Sequence, residues 1–511
     1  MTTPRQVDAS FLALPLNTCA DAAVSAGIEA GASHVDIRVI SLRTALVSAR
    51  DARKESSSDD ISLSMGVRVI VDGCWGFAAS DVVTSETAAQ LANTAVSLAR
   101  VSRPLATLPV TLASEPVHSG TWVSSYEIDP FEVPEAERLL VLTERSAALM
   151  AAGVAHVEAW VRQVKECMFY ADSAGTRVTQ QRVRIESQWD ATAVDPVTGA
   201  FETMSTTAPP VARGWEYVLG KGDTIGGARA WDWDAELSQL PAFVHEKLAA
   251  PGVEPGRYTL VIDPTNLWLT IHESIGHATE LDRALGYEAN YEGTSFATPD
   301  KLNSFRYGSA LMNVTGDRTT AHGLATVGWD AEGVAAQQWD IVRDGTLVGY
   351  QLDRAMAHEF GYDRSNGCAF ADAGEHMPIQ RMPNVSLQPA ADGPANAEAL
   401  ISAVDDGIYI VGDKSWSIDM QRFNFQFTGQ RFMRIKNGRL AGQVKDVAYQ
   451  SRTPDFWGSM VAVGGPQTYL LGGALNCGKG QPGQEAPVSH GCPVAVFENI
   501  NILNTTAEAG A

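Results

Sequence analysis

The sequence contains no long hydrophobic run. No apolar segment approaches the roughly 20 residues that a helix needs to cross a bilayer, so we expect no membrane association. Basic residues are also outnumbered, with 38 Lys and Arg against 60 Asp and Glu and a net charge of −22 at pH 7. This charge would repel a phosphate backbone. The composition therefore excludes membranes and nucleic acids from the expected partners.

Cysteine is sparse and scattered along the chain. The six cysteines are Cys19, Cys74, Cys167, Cys368, Cys477 and Cys492. Small secreted domains have dense cysteine patterns, whereas a few scattered cysteines in a long chain are typical of a reducing compartment. We therefore predict a cytoplasmic protein.

Length and composition predict a globular chain of more than one domain. Hydrophobic residues make up 45% and charged residues 19% of the 511 positions, and a domain holds about 100 to 200 residues. In the N-terminal half, apolar periodicity predicts helices over 85–102 and 135–152. The dipeptide Asp72-Gly73 between two apolar runs predicts a hairpin, and the polar run 50–60 predicts a loop.

The clearest cluster of chain-breaking residues lies near the middle of the sequence. Pro251-Gly252 and Pro255-Gly256 follow a predicted helix, and we place a domain boundary there, which gives domains 1–250 and 251–511. We predict an α+β fold: an N-terminal α+β domain with a mixed or antiparallel sheet, and a β-rich, barrel-like C-terminal domain. A predicted helix over 265–285 in the second domain carries the candidate metal-binding motif.

That motif is His272-Glu273-Ser274-Ile275-Gly276-His277. In the His-Glu-x-x-His helix of zinc proteases, two histidines four residues apart bind zinc and the Glu acts as general base. Here the second His comes one residue later, and on a regular helix the two imidazoles would point about 140° apart. A π-bulge would bring them together, and Gly276 lowers the cost of leaving α geometry. From spacing alone, the pair is either a metal site or two buried, hydrogen-bonded histidines.

Together with its surroundings, this motif resembles the signature of the TldD/PmbA metallopeptidase family. The other matching segments are Gly66-Val67-Arg68, Gly73-Cys74-Trp75-Gly76-Phe77, Ala278-Thr279-Glu280-Leu281-Asp282, Gly286-Tyr287-Glu288, Tyr291-Glu292-Gly293-Thr294-Ser295-Phe296, Arg381-Met382-Pro383-Asn384, Gly407-Ile408-Tyr409, Asn424-Phe425-Gln426-Phe427 and Cys477-Gly478-Lys479. These segments span most of the chain. Because the metal helix is kept, the sequence resembles the active, TldD-like subunit and not its metal-free homologue.

The resemblance implies a ligand set for zinc. It assigns the ion to His272, His277 and the thiolate of Cys477, and it makes Glu273 the catalytic base. Three protein ligands suit a catalytic zinc, which keeps its fourth position open for water. On chemistry alone, Cys492 and Cys368 are alternatives to Cys477 as the distant ligand.

Five charged residues near these segments allow two interpretations each. Glu280 and Asp282 either orient a ligand imidazole or are ordinary acids at the end of a helix. Arg381, Arg422 and Lys479 either bind a peptide carboxylate or carbonyl or form structural ion pairs. We therefore assign no substrate-binding residue from the sequence.

The function implied by the resemblance is a zinc-dependent metallopeptidase that hydrolyses short or unfolded peptides through a metal-activated water. The resemblance also implies a dimer, formed with a metal-free homologous subunit or with a second copy of this chain. Two alternatives stay open: a zinc amidase acting on a small molecule or modified peptide, and a non-catalytic subunit with a structural zinc. A closed structural site needs no adjacent base, so the presence of Glu273 argues against the last of these.

Overall fold

The N-terminal half is built around one seven-stranded sheet. The computed structural model describes residues 6–480 and 483–508, so the outermost residues of the two predicted domains, 1–5 and 509–511, lie outside the described residues. The strands of the sheet are β1 (His34–Arg50), β2 (Arg53–Val71), β3 (Cys74–Ser80), β4 (Ser119–Val123), β5 (His156–Asp172), β6 (Arg177–Val194) and β7 (Phe201–Ser205). Their order is β3-β2-β1-β5-β6-β4, and β7 also pairs with β6. The pairing is antiparallel except between β4 and β6, so the predicted mixed or antiparallel sheet is confirmed.

Helices cover this sheet because each has one apolar face to bury. They are α1 (Ala9–Leu12), α2 (Leu16–Glu29), α3 (Ser85–Ser102), α4 (Glu135–Ala151) and α5 (Trp233–Ala249). Small apolar residues of α2 and α3 share one buried core with β1, β2 and β5. A second core joins α4 and α5 to the beginning of β5 and the second half of β6. The helices predicted over 85–102 and 135–152 are confirmed to within one residue.

The polar segment predicted to be a loop over 50–60 is instead part of a long hairpin. β1 runs to Arg50, a two-residue turn follows, and β2 begins at Arg53. Residues 53–62 pair with β1 on one side and are exposed to solvent, whereas β3 pairs only with residues 65–71. The loop prediction was wrong because strand pairing, and not burial of alternate residues, determines the conformation here.

The C-terminal half is rich in strands and has short helices. Its strands are β8 (Gly256–Ile262), β9 (Val314–Asp317), β10 (Gln338–Arg343), β11 (Thr346–Leu347), β12 (Ala369–Phe370), β13 (Ile379–Gln380), β14 (Asn384–Leu387), β15 (Asp406–Ile418), β16 (Asn424–Lys436), β17 (Arg439–Val444), β18 (Val447–Arg452), β19 (Met460–Val463), β20 (Leu470–Lys479), β21 (Gln484–Cys492) and β22 (Ala495–Asn504). Its α-helices are α6 (Pro264–Ile271), α7 (Leu281–Ala284), α8 (Arg354–Glu359), α9 (Ala397–Ser402), α10 (Thr453–Gly458) and α11 (Thr505–Glu508). Turns of 3-10 helix occupy Arg103–Leu105, His277–Thr279, Pro299–Lys301 and Pro466–Thr468.

Five of these strands close into a barrel. The order β15-β8-β22-β18-β16 returns to its start because β15 also pairs with β16. Only the β8–β15 pair is parallel within this ring. The α+β fold and the barrel-like C-terminal region predicted from the sequence are therefore confirmed. No described helix is both long and apolar enough to span a membrane.

The barrel positions the metal-binding motif. Helix α6 follows β8 directly, and its residues Leu267 and Ile271 are buried in the same core as the inward-facing residues of the barrel. Ile275 and Ala278 continue this buried face beyond the end of α6. The strand pair β20–β21 packs against α6 and brings its own residues to the end of that helix. The motif is thus held rigidly between the barrel and a separate hairpin.

Candidate metal centre

The helix that carries the motif changes type at the first histidine. Asp263 caps α6 by accepting a hydrogen bond from the backbone N–H of Thr265. The chain then forms a π-turn over His272–Gly276, in which the N–H of His277 donates to the carbonyl of His272. A turn of 3-10 helix follows over His277–Thr279. The π-bulge that the spacing predicts is confirmed.

Gly276 packs closely against Met382 at the end of the π-turn. A Cβ atom added to Gly276 would lie 2.5 Å from Sδ of Met382, which is closer than such atoms approach in proteins. Met382 is buried, so its side chain would have to shift within the core to admit a larger residue at position 276. The glycine therefore serves close packing as well as the change in helix type.

The π-turn brings both imidazoles to Cys477. Its Sγ lies 3.3 Å from Nε2 of His272 and 3.5 Å from Nε2 of His277. The three donor atoms all lie within 4.8 Å of one another, and all three residues are buried. Cys477 reaches this position just after an irregularity in the β20–β21 pairing between Ala474 and Cys477. The structure thus brings together the three residues that the resemblance assigns to zinc.

The two competing cysteines lie elsewhere. The Cys492 thiol donates to the carbonyl oxygen of Pro264 at 3.6 Å, at the start of α6. Cys368 is fully buried, and burial raises the pKa of its thiol to about 12. Neither thiol joins the group formed by His272, His277 and Cys477.

Hydrogen bonds on the far side of each imidazole fix its tautomer. Nδ1 of His490 donates to the carbonyl oxygen of Val385 at 2.9 Å, so Nε2 of the neutral ring accepts from Nδ1 of His272 at 2.7 Å. Burial holds the pKa of His490 well below its ordinary value and keeps the ring neutral. Nδ1 of His277 donates to Oε2 of Glu280 at 2.9 Å. Both Nε2 atoms therefore carry a free lone pair that faces Cys477.

Burial also sets the charge of the candidate ligands. It lowers the pKa of His272 to about 4, and it holds the pKa of His277 well below the ordinary value, with Arg422 adding to the effect. Burial raises the pKa of the Cys477 thiol to about 11, although Arg381 opposes this change. At neutral pH the centre therefore offers two neutral imidazoles and a thiol.

The acids that follow the motif are buried and are not ordinary helix-end residues. Glu280 binds His277 and forms an ion pair with Lys479, whose Nζ lies 3.2 Å from Oε1. Burial would raise the pKa of Glu280, but Lys479 and the hydrogen bond from His277 outweigh it and hold that pKa well below the usual range. Asp282 contacts Lys479 at 2.9 Å and no imidazole, and Glu288 completes the cluster at 3.2 Å. Of the two acids, only Glu280 orients a candidate ligand.

Glu273 is held by an arginine. Its Oε2 accepts a hydrogen bond from Nη1 of Arg422 at 2.7 Å, and Nη2 of Arg422 reaches Oε2 of Glu292 at 3.1 Å. Oε1 of Glu273 accepts no hydrogen bond from any residue that the structure describes. The sequence singled out three cationic side chains. Of these, Arg422 contacts the candidate base and Lys479 pairs with buried acids. Arg381 donates a hydrogen bond to the carbonyl oxygen of Cys477 at 2.7 Å.

These residues line one cavity of about 470 Å³. Its walls include His272, Glu273, His277, Cys477, Glu292 and Arg422 from the centre and its surroundings, and Glu186, Trp268, Asp413, Trp416 and Asn476 beyond it. The size lies within the range of ligand-binding pockets, about 300 to 1,000 Å³. A small substrate can therefore reach the three donor atoms and Glu273 from the same space.

Sequence reasoning missed His490 as a functional residue. It lies two residues before Cys492, and its partner His272 lies 218 positions away in the chain. A histidine next to a candidate ligand was the available signal, but no spacing rule connects it to the motif. The contact arises from the packing of β21 against the end of α6.

Comparisons with known proteins find similarity to metallopeptidases. A model of the PmbA/TldA metallopeptidase C-terminal domain matches residues 255–504, and a model of domain 1 matches residues 35–99. A metalloprotease of Methanothermobacter thermautotrophicus is 26% identical over 478 residues, which cover 94% of this chain and 97% of that protein. A zinc metalloprotease TldD homolog of Saccharolobus solfataricus is 24% identical over 224 residues, 44% of this chain and 47% of that protein.

Solved structures share the whole fold. The crystal structure of TldE from Thermococcus kodakarensis aligns with a TM-score of 0.67 at 15% identity and covers 95% of this chain and 99% of that one. A candidate modulator of a DNA gyrase from Thermotoga maritima aligns with a TM-score of 0.73 at 14% identity, over 95% and 100% of the two chains. The two family models cover most of the chain, and the chain belongs to the PmbA/TldD family of metallopeptidases.

Proposed function

We propose that this protein is a zinc-dependent metallopeptidase that hydrolyses short or unfolded peptides, with Glu273 as general base. The observation that carries the proposal is the buried convergence of two imidazole Nε2 atoms and one thiol sulfur beside a carboxylate with a free oxygen. Relatives named as metalloproteases, one of them a zinc metalloprotease, support it.

The donor set of the centre fits zinc. In tetrahedral coordination with bonds of about 2.0 Å to nitrogen and about 2.3 Å to sulfur, a nitrogen and a sulfur ligand lie about 3.5 Å apart. The Cys477 sulfur lies 3.3 and 3.5 Å from the two Nε2 atoms, in agreement with that geometry. Imidazole and thiolate together favour zinc over magnesium or calcium, which prefer oxygen. We propose His272, His277 and Cys477 as the three protein ligands of a catalytic site.

The residues around the centre have separate roles in the proposed hydrolysis. When bound, zinc supplies Lewis-acid activation of water and of the scissile carbonyl group. Glu273 takes a proton from the attacking water at Oε1 and returns it to the leaving amine. Arg422 fixes the other oxygen of Glu273 and so aims Oε1 at the cavity. His490 and Glu280 hold the imidazoles in the tautomers that leave Nε2 free.

The proposal extends to assembly and location. A cavity of about 470 Å³ holds only a few residues of an extended chain, which favours short or unfolded peptides. The fold shared with TldE supports a dimer with a metal-free homologous subunit, and a homodimer is the alternative.

We propose 1–250 and 251–511 as the two domains of the chain. All six cysteines are free, which supports a cytoplasmic location.

The first experiment measures zinc per chain and peptide hydrolysis in the same preparations. The wild type is compared with Cys477→Ala and with Cys492→Ala, a matched loss of a buried thiol outside the centre. We expect about one zinc per chain in the wild type and in Cys492→Ala, and little in Cys477→Ala. Zinc retained in Cys477→Ala would contradict the ligand set.

Glu273→Gln separates the base from the metal. This variant should keep its zinc and lose peptide hydrolysis by a factor of about 100 or more, because a general base typically contributes about 10² to 10⁴. Unchanged hydrolysis would refute the role of Glu273. Activity toward small amides but not toward peptides, lost in the same variant, would favour an amidase.

A further inference from the structure

The far end of the candidate active-site cavity carries unbalanced negative charge. Four carboxyl groups line the cavity, from Glu186, Glu273, Glu292 and Asp413, and Arg422 supplies the only guanidinium among its lining residues in the described chain. Arg422 pairs with Glu273 and Glu292 and with neither of the others. Glu186 and Asp413 therefore face the same space without an ion-pair partner among the described residues.

Glu186 has no hydrogen-bonding or ion-pair partner among the described residues. It lies on β6, in the N-terminal sheet, and its carboxylate makes no hydrogen bond and no ion pair with residues 6–480 or 483–508. Burial raises its pKa to about 7 against the attraction of Arg162, its cross-strand neighbour on β5, and Asp413 adds a smaller contribution to the increase. An ionised carboxylate that is largely buried without an ion pair costs free energy, and a bound cation would recover part of that cost.

Asp413 is only half satisfied. Its Oδ1 accepts a hydrogen bond from the indole Nε1 of Trp268 at 3.1 Å, and burial raises the pKa of its carboxyl group. Trp268 is itself fixed by stacking on His490, with the ring centres 6.2 Å apart and the planes 10° from parallel. Trp416, whose side chain is half exposed, adds a second indole to the cavity wall. The face of an indole ring also attracts a cation, by about 0.5 to 2 kcal/mol.

We infer that Glu186 and Asp413, flanked by Trp268 and Trp416, form a subsite that binds a positively charged group of the substrate. The inference rests on the proposed function, because it takes the cavity beside Glu273 as the place where the peptide binds. The ligand is an ammonium or guanidinium group close to the scissile amide, from the peptide amino terminus or from a Lys or Arg side chain. Both sources present the same chemistry to the two carboxylates, and the subsite makes the enzyme selective for cationic peptides.

The test measures peptide binding without cleavage. All proteins carry Glu273→Gln to prevent hydrolysis, and affinities are measured by calorimetry. The reference ligand is an acetylated, amidated hexapeptide of neutral residues with norleucine, the uncharged analogue of Lys. One series of peptides has a single Lys at each position in turn, and one further peptide has a free amino terminus in place of the acetyl group. These two arms distinguish a side-chain cation from a terminal one.

At least one cationic peptide should bind about tenfold or more tightly than the reference, because a desolvated charge pair contributes strongly to affinity. Glu186→Gln and Asp413→Asn should each reduce this preference to about twofold or less, without loss of zinc and without changing the affinity for the reference. The control is Glu158→Gln, an exposed acid on β5, which should keep the full preference. Glutamine keeps the size of Glu186 and removes a charge that burial opposes, so this variant should fold.

Three results would overturn the subsite: equal affinity for cationic and neutral peptides, an equal loss of affinity for both in Glu186→Gln, or no binding of any cationic peptide. Hydrolysis of the same peptides by the wild type distinguishes failure of the proposed subsite from failure of the proposed peptidase function. Cleavage of all peptides at equal rates would remove the subsite and keep the peptidase. Charge-selective binding without any cleavage would keep the subsite and remove the peptidase.

Discussion

His490 offers the most direct test of how the centre is pre-organised. Replacing it with Ala removes the acceptor of the His272 Nδ1–H and the stacking partner of Trp268, but it keeps all three proposed ligands in the sequence. His272 is then free to rotate, and its Nδ1–H is left buried without a partner. The variant therefore changes the orientation of a ligand and leaves its chemistry intact.

The expected loss of zinc affinity follows from that single hydrogen bond. A buried donor left unsatisfied costs about 1 to 3 kcal/mol, which corresponds to about 5- to 150-fold in a dissociation constant. Loss of a residue that orients a metal ligand typically costs about 10- to 100-fold. We therefore expect zinc to bind His490→Ala about 10- to 100-fold more weakly than the wild type. His490→Gln, whose amide oxygen is an acceptor, should recover part of the loss.

Competition with a chromophoric chelator measures this affinity. The matched control is His322→Ala, because His322 is also buried and hydrogen-bonded, to the Ala212 carbonyl and to Asp223, but lies outside the cavity. Both alanine variants remove a buried imidazole, so both should lower thermal stability, and only His490→Ala should lose zinc. A folded His490→Ala protein that binds zinc within about twofold of the wild type would refute the proposed role of His490.

Three further outcomes are expected. Zinc binding between pH 6 and 9 should release one proton from Cys477, because burial raises the pKa of its thiol to about 11. The zinc affinity should therefore fall about tenfold for each pH unit of acidification. Calorimetry in buffers of different ionisation enthalpy measures the released proton, and Cys477→Ala should release none. Arg422→Met should lower the free energy of unfolding in urea by about 3 to 5 kcal/mol, because the buried carboxylate of Glu273 loses its cation, and a value near zero would contradict that pairing. Gly276→Ala should cost about 1 to 3 kcal/mol through the clash with Met382, whereas Gly458→Ala, which meets no atom within 4 Å, should stay near wild type in the same unfolding measurement.

Local chemistry made the metal helix predictable from the sequence. The extra residue between His272 and His277 is incompatible with a regular helix, so the choice lay between two separated histidines and a π-turn. The structure has the π-turn, and the resemblance had already selected Cys477 from three candidate cysteines. The π-turn follows from residue type and spacing, which a single sequence displays, whereas the choice of Cys477 rests on the family resemblance.

Contacts between distant segments were not predictable in the same way. The sequence allowed Glu280 to be either a solvated acid at a helix end or a buried partner of His277. Its burial depends on Lys479, which lies in a strand almost 200 residues later. Glu186 lies in the other half of the chain from the metal helix, and only the docking of the N-terminal sheet brings it into the cavity. Such residues become visible only when the tertiary structure fixes which side chains lose their water.

The exposed segment of β2 has a consequence for colloidal behaviour. Over residues 53–62 this strand pairs on one side only, and an open edge of that kind is a template on which other extended chains can add. Nine of the ten side chains there are charged residues or serines, and Ile61 is the exception, so an added strand would strip water from polar groups and gain almost no apolar contact. The polar composition of this segment, which led to the wrong prediction of a loop, thus protects the folded protein from edge-to-edge aggregation.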